Sequence, residues 1–295
     1  MSKGIVASVM ASCLFAVMYF YTSLMHPLDG EEIFGWRTLL TLPCLTAFML
    51  VSKDWKRVPE LFGRVRRTPL LLLGMVGTSW LMGIQLWLFL WAPLHGRSLD
   101  VSMGYFLLPL TMVLTGFLVY RERLSRLQKV AVLCAATGVG HELYLHGSFA
   151  WETLVVMIGY PIYFVLRRRC RTDHLGGLWC DMCLLLPWAV YFVMQGPSST
   201  QALVERPALY GLIPVLGLIS ASALIAYVLA SRLLPFSLFG LLGYIEPVLL
   251  VGVALLLGES IGPDQWLTYL PIWAAVLVLV LEGVRHLLRQ RRRVG

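Results

Sequence analysis

Ten stretches of this chain stay apolar for about twenty residues each, separated by short polar connections. A helix needs a run of about that length to cross the roughly 30 Å hydrocarbon core of a bilayer. The pattern predicts membrane-spanning helices at 4–25, 31–52, 69–92, 99–120, 125–145, 149–167, 178–195, 208–232, 236–258 and 264–286. The runs are continuous, whereas the strands of a membrane barrel would alternate apolar and polar residues over about ten positions. No connection is large enough for a separate soluble domain. The expected fold class is therefore an all-α polytopic membrane protein with ten transmembrane helices. The first run is long, rich in aromatics (Phe15, Tyr19, Phe20, Tyr21) and poor in a small-residue cleavage site, so it reads as a retained helix and not as a signal peptide.

Composition agrees. Apolar residues make up 58% of the 295 and charged ones 14%, against roughly 45–50% and about 25% in soluble domains. Charge adds direction. Of 24 Lys and Arg residues, 21 fall in alternate connections, at Lys3, at Lys53 to Arg67, at Arg121 to Lys129, at Arg167 to Arg171, at Arg232 and at Arg285 to Arg293. The other connections hold only Arg97 and Arg206, and Arg37 lies inside a span. Short basic loops stay in the cytoplasm, which predicts cytoplasmic amino and carboxyl ends. The net charge of +8 sits beside spans, where anionic lipid of the inner leaflet is the expected partner and nucleic acid is not.

The chain also reads as two weak copies of a five-span unit. Gly104-Tyr105-Phe106-Leu107-Leu108-Pro109 opens a run ending at Arg121-Glu122-Arg123; Gly243-Tyr244-Ile245-Glu246-Pro247 opens one ending at Gly258-Glu259-Ser260. Arg37 stands six residues before Pro43, as Asp181 stands six before Pro187. Basic residues follow Glu122 but not Glu259, so the corresponding corners fall on opposite sides of the membrane. An odd number of spans per copy forces that inversion. The expected units are a first repeat at 1–147, a second at 148–286 and a basic tail at 287–295. Inverted repeats place a binding site between the halves, near mid-membrane, in secondary transporters; the plainer reading is a duplication in a protein that moves nothing.

At these residues the sequence resembles the EamA family of the drug/metabolite transporter superfamily. Gly243 to Leu250 with Gly258-Glu259 is similar to that family's second-half signature. Glu31-Glu32-Ile33, Arg37 and Ser102 to Glu122 resemble its RarD-like subgroup, although Phe15-Ala16 and Ser23 depart from the subgroup's first-helix pattern. The resemblance implies helices three, four, eight and nine, with parts of one and six, around a central cavity. It also implies export of small metabolites such as amino acids, their derivatives, drugs and metal-chelating compounds.

Charges inside spans are the first candidates for a site, because each costs about 2.5–3.5 kcal/mol at a helix centre. Glu246 precedes Pro247, which disfavours helix at the residue before it. It either binds an amine or carries a proton, or it serves only to tie a broken backbone. Arg37 either receives a carboxylate as a bidentate partner, or snorkels or pairs with Asp29, Glu31 or Glu32. Asp181 is expected in an interfacial ion pair with one of Arg167 to Arg171. Trp80, Trp87 and Trp91 share a helical face; Gln85, Tyr105, Tyr160 and Tyr244 join Trp80 and Trp87 as candidate cargo contacts. The alternative for each aromatic is an interfacial belt. Cys180-x-x-Cys183 has no second pair or histidine beside it, so neither metal nor cofactor is expected.

Short loops without paired Asp clusters or phosphate-cradling glycines argue against an enzyme; the alternative kept open is a polytopic membrane enzyme acting on a lipid or isoprenoid. The expected function is export of a small polar or amphipathic metabolite from the bacterial inner membrane by alternating access. An opine-type metallophore is one candidate cargo. The expected partners are that cargo, membrane lipid, a coupling proton and, as a homodimer, a second copy of the chain.

Overall fold

The structure, a computed structural model, describes residues 2–121, 125–146, 150–195, 203–234 and 245–258, with shorter pieces at 239, 242–243, 262–263, 266–275, 277–278 and 281. Every regular element among them is helical. Eight long helices follow the predicted spans closely: α1 (Ser2–Ser23), α2 (Gly30–Val51), α4 (Leu70–Leu94), α5 (Ser98–Tyr120), α6 (Arg126–His146), α7 (Trp151–Arg169), α8 (Leu175–Gln195) and α9 (Leu209–Leu233). Six of these (α1, α2, α4, α5, α8 and α9) are long and apolar enough to cross a bilayer by length and composition. The tenth predicted span is helical at 266–275 and 277–278.

Two expectations are corrected. The connection at 53–68 holds helix α3 (Arg57–Arg67), after one 3-10 turn at Asp54–Lys56. Val58, Leu61, Phe62 and Val65 recur at helical spacing, which places Val58 and Leu61 against the bundle and the arginines outward. The predicted ninth span, 236–258, is not one helix. Its described helix, α10, runs only over Ile245–Leu256, with a turn at Gly243. Pro247 lies in the first turn of α10, where its missing N–H would have no intrahelical partner in any case.

Contacts sort the helix ends onto two faces. On one, Arg64 donates to the carbonyls of Cys170 and Arg171 (2.7 and 3.0 Å), Gly4 meets Leu233 and Leu234, and Arg168 lies over the Tyr120 ring. On the other, Arg97 pairs with Glu152 at 2.6 Å, Tyr21 donates to the Leu212 carbonyl, and the start of α2 packs on Trp91. The first is the basic face, and Arg97 and Arg206 belong to the second. Glu152 accepts two hydrogen bonds from Arg97, which raises the guanidinium's affinity for its proton.

Helix pairs repeat in a regular way. α1 packs on α9 as α7 packs on α4; α2 meets α9 as α8 meets α4; α1 meets α10 as α7 meets α5. α2 against α8, and α5 against α10, complete the set. Close approach depends on small residues. A Cβ on Gly35 would stand 2.6 Å from Val193 and 2.7 Å from the Ala189 carbonyl oxygen, so the α2–α8 contact requires glycine there.

The loop from α7 to α8 closes the basic face. His174 Nδ1 accepts the Gly177 N–H (3.2 Å) and the ring is more than half buried. Burial, with the guanidinium groups of Arg167, Arg57 and Arg232, pushes its pKa down to about 4; Asp173 acts the other way. The folded value lies below the roughly 6.5 of a free histidine. The stabilisation is therefore present above about pH 6.5 and is lost as pH falls towards 4. Thermal melts at pH 7 and pH 4.5 should show a larger drop for the native protein than for His174→Asn, which supplies an acceptor that does not titrate. Equal drops would remove His174 from this role.

Candidate functional site

Arg37 lies seven residues into α2, about 10 Å from the face opposite the basic one at 1.5 Å per residue. It is 1% exposed. Its Nε donates to Ser220 Oγ on α9 at 2.8 Å, while Nη1 and Nη2 have no hydrogen-bond partner among the described residues. It neither snorkels nor pairs with its neighbours in sequence. Asp29 and Glu32 instead form a capping box at the start of α2, and Glu31 accepts from Trp87 Nε1 at 3.1 Å. Those bonds hold the start of the helix, and the run of apolar residues beyond carries Arg37 inside.

Tyr105 on α5 and Tyr160 on α7 share a hydroxyl hydrogen bond of 3.1 Å. Both lie within electrostatic reach of Arg37. Glu246, buried in the first turn of α10, is within reach of the same two tyrosines and of Tyr227 on α9. A carboxylate is favoured at a helix amino end, where N–H groups lack partners. Aromatic rings line the surroundings: Phe89 stands edge-on to Tyr19 and Tyr105, and Tyr227 packs on Phe15, Phe164 and Phe239. One cation and one carboxylate, from different helices, thus lie within electrostatic reach of a tyrosine pair in an apolar, aromatic shell.

Other predicted candidates fall elsewhere. Gln85 packs against Gly159 and donates to the Val155 carbonyl at 2.6 Å, joining α4 to α7. Trp80 and Trp87 line a groove of about 480 Å3 between α2, α4 and α8, with Glu31 and Trp188. Trp80 is 56% exposed and meets Trp188 edge-on, so it lies on the outer surface of the bundle. Tyr244, like Glu122 and Glu259, lies outside the described residues, and Tyr105 has Tyr160 as its hydroxyl partner.

Sequence reading passed over Ser220 and Tyr227, since a lone Ser or Tyr in an apolar run carries no signature. It placed Asp181 in an interfacial pair, whereas the pair is buried. Asp181 Oδ2 stands 3.3 Å from Arg167 Nη1, and both side chains are 3% exposed. Thr78 donates to Asp181 Oδ1 at 2.7 Å, Ser79 donates to its carbonyl, and Arg167 also donates to Tyr163 and to the Thr172 and His174 carbonyls. So many fixed acceptors allow this guanidinium to be buried next to the basic face.

Residues 2–140 match the model of the EamA-like transporter family. The chain is 44% identical to the chloramphenicol-sensitive protein RarD of Pseudomonas aeruginosa, over 99% of this chain and 98% of that protein. It is 42% identical to an uncharacterized transporter of Pasteurella multocida, over 98% and 99%. A solved crystal structure shares the fold at 18% identity, with a TM-score of 0.63 over 96% of this chain and 98% of that one.

Proposed function

The chain belongs to the EamA-like transporter family, and on that premise we propose that it exports a small zwitterionic or amphipathic metabolite by alternating access. It is a membrane transporter of the bacterial inner membrane. With the basic face in the cytoplasm, Arg37 lies in the outer half of its span. The two-repeat reading, ten helices in two inverted sets of five, is supported by three matched helix pairs: α1 on α9 corresponds to α7 on α4, α2 on α9 to α8 on α4, and α1 on α10 to α7 on α5. Such halves can pack in two near-equivalent ways, opening to alternate sides.

One observation carries the cargo class. Arg37 buries two guanidinium nitrogens without hydrogen-bond partners among the described residues, within electrostatic reach of the tyrosine pair that Glu246 also reaches. A carboxylate on the cargo would take the free nitrogens in bidentate fashion, an amine would be drawn to Glu246, and planar groups would stack on the aromatic shell. An amino-acid derivative carries all three, and an opine-type metallophore is the member of that class put forward. The sequence has no nucleotide-binding loop, so the energy comes from a proton gradient or from the cargo's own gradient.

Glu246→Gln should abolish export while the purified protein melts as the native one does. Normal export by that variant would reduce Glu246 to a structural role. Comparative metabolite profiling of cells with and without the gene, under metal limitation, tests the cargo; unchanged internal and external pools would remove the metallophore.

A further inference from the structure

On the basic face a second concavity of about 520 Å3 opens between α3, α4 and α7. Its upper wall carries Arg64, Arg67 and Arg169, and its lower wall Leu70, Leu73 and Leu166. Among the described residues no Asp or Glu lines it. Arg64 is committed to the Cys170 and Arg171 carbonyls, neutral acceptors that leave its charge uncompensated. Arg67 and Arg169 are exposed. Leu70 and Leu73, 73% and 68% exposed, continue the groove along α4 into the bilayer. A Cβ on Gly74 would lie 2.6 Å from Cys170 Sγ, so glycine lets α4 and the end of α7 meet at its floor.

We infer that this groove is a binding site for one anionic phospholipid of the leaflet on the basic face. Its phosphodiester lies between Arg67 and Arg169, and one acyl chain follows Leu70, Leu73 and Leu166. Charge complementarity selects the occupant. A zwitterionic headgroup would bring an ammonium among three guanidinium groups, while a soluble phosphate would leave the leucine wall in contact with lipid alone. Basic pockets between membrane helices on the cytoplasmic side have this chemistry. The site does not depend on the cargo reading, because its residues are separate from Arg37 and Glu246.

The test is native mass spectrometry of the full-length protein in neutral detergent, with phosphatidylglycerol and phosphatidylethanolamine at equal concentrations. The native protein should retain one phosphatidylglycerol in preference to phosphatidylethanolamine. Each arginine beside an anionic lipid contributes about fivefold in affinity, so Arg67→Gln with Arg169→Gln should weaken retention about 30-fold. Lys53→Gln with Lys56→Gln, equal in charge but outside the groove, should change it less than about twofold on the same scale. Equal weakening by both pairs would mean diffuse attraction to the face and would overturn the site, as would equal retention of the two lipids. Should the first pair fail to fold, Arg169→Gln alone, with about fivefold expected, decides the question in the same way.

Discussion

Replacing Arg37 with methionine is expected to make the protein more stable and to stop it transporting. The physical basis is an imbalance. The guanidinium has left water completely, yet among the described residues only its Nε is bonded, to Ser220. A buried donor without a partner costs about 1–3 kcal/mol, more when charged. Methionine fills a similar volume with no such donor, and Ser220 can turn its hydroxyl to a carbonyl of its own helix. Arg37→Met should therefore raise the stability of the detergent-solubilised protein by about 1–3 kcal/mol, read as a higher melting temperature. Transport of a carboxylate cargo should fall by about 30-fold or more, the loss from deleting one partner of a desolvated charge pair. A variant that melts lower and still transports would make Arg37 a packing residue.

The opposite sign is expected one helix pair away. Arg167→Met strands the Asp181 carboxylate in a site where both side chains are 3% exposed, a change that costs about 3–5 kcal/mol. Adding Asp181→Asn should restore most of that stability, because removing both charges leaves no ion unpaired. Thermal unfolding of the two singles and the double forms a cycle that isolates the coupling. Singles that melt like the native protein, with no coupling between them, would mean that the pair contributes nothing to the fold.

These two sites show how far the residues could be read in advance. Eight helices were legible because an apolar run of bilayer length has few other uses. The break before α10 was half legible: Pro247 signalled a disturbance at Glu246, but whether a helix bends or begins there depends on its neighbours. Helix α3 was missed although Val58, Leu61, Phe62 and Val65 carry its period, because the charges of that connection were read for orientation alone. Arg37 and Glu246 stood out as costly charges, and both lie within electrostatic reach of Tyr105 and Tyr160. Gln85 stood out for the same polarity, yet its amide nitrogen is bonded to the Val155 carbonyl. That pairing depends on the space left by Gly159 on another helix, which no local pattern announces. Ser220 lies 183 positions from Arg37, beyond any local rule.

Arg37 of α2 reaches a hydroxyl on α9, and Asp181 of α8 reaches one on α4. In the two-repeat reading these are the same place met twice, with opposite charge and opposite fate: one neutralised within the protein, the other left for a visitor. Two separate, identical five-helix chains could not divide the work in this way, since a symmetric pair carries the same residue on both sides. On that reading, joining the halves in one polypeptide would free each copy to mutate alone, one as a lock and the other as a receptor.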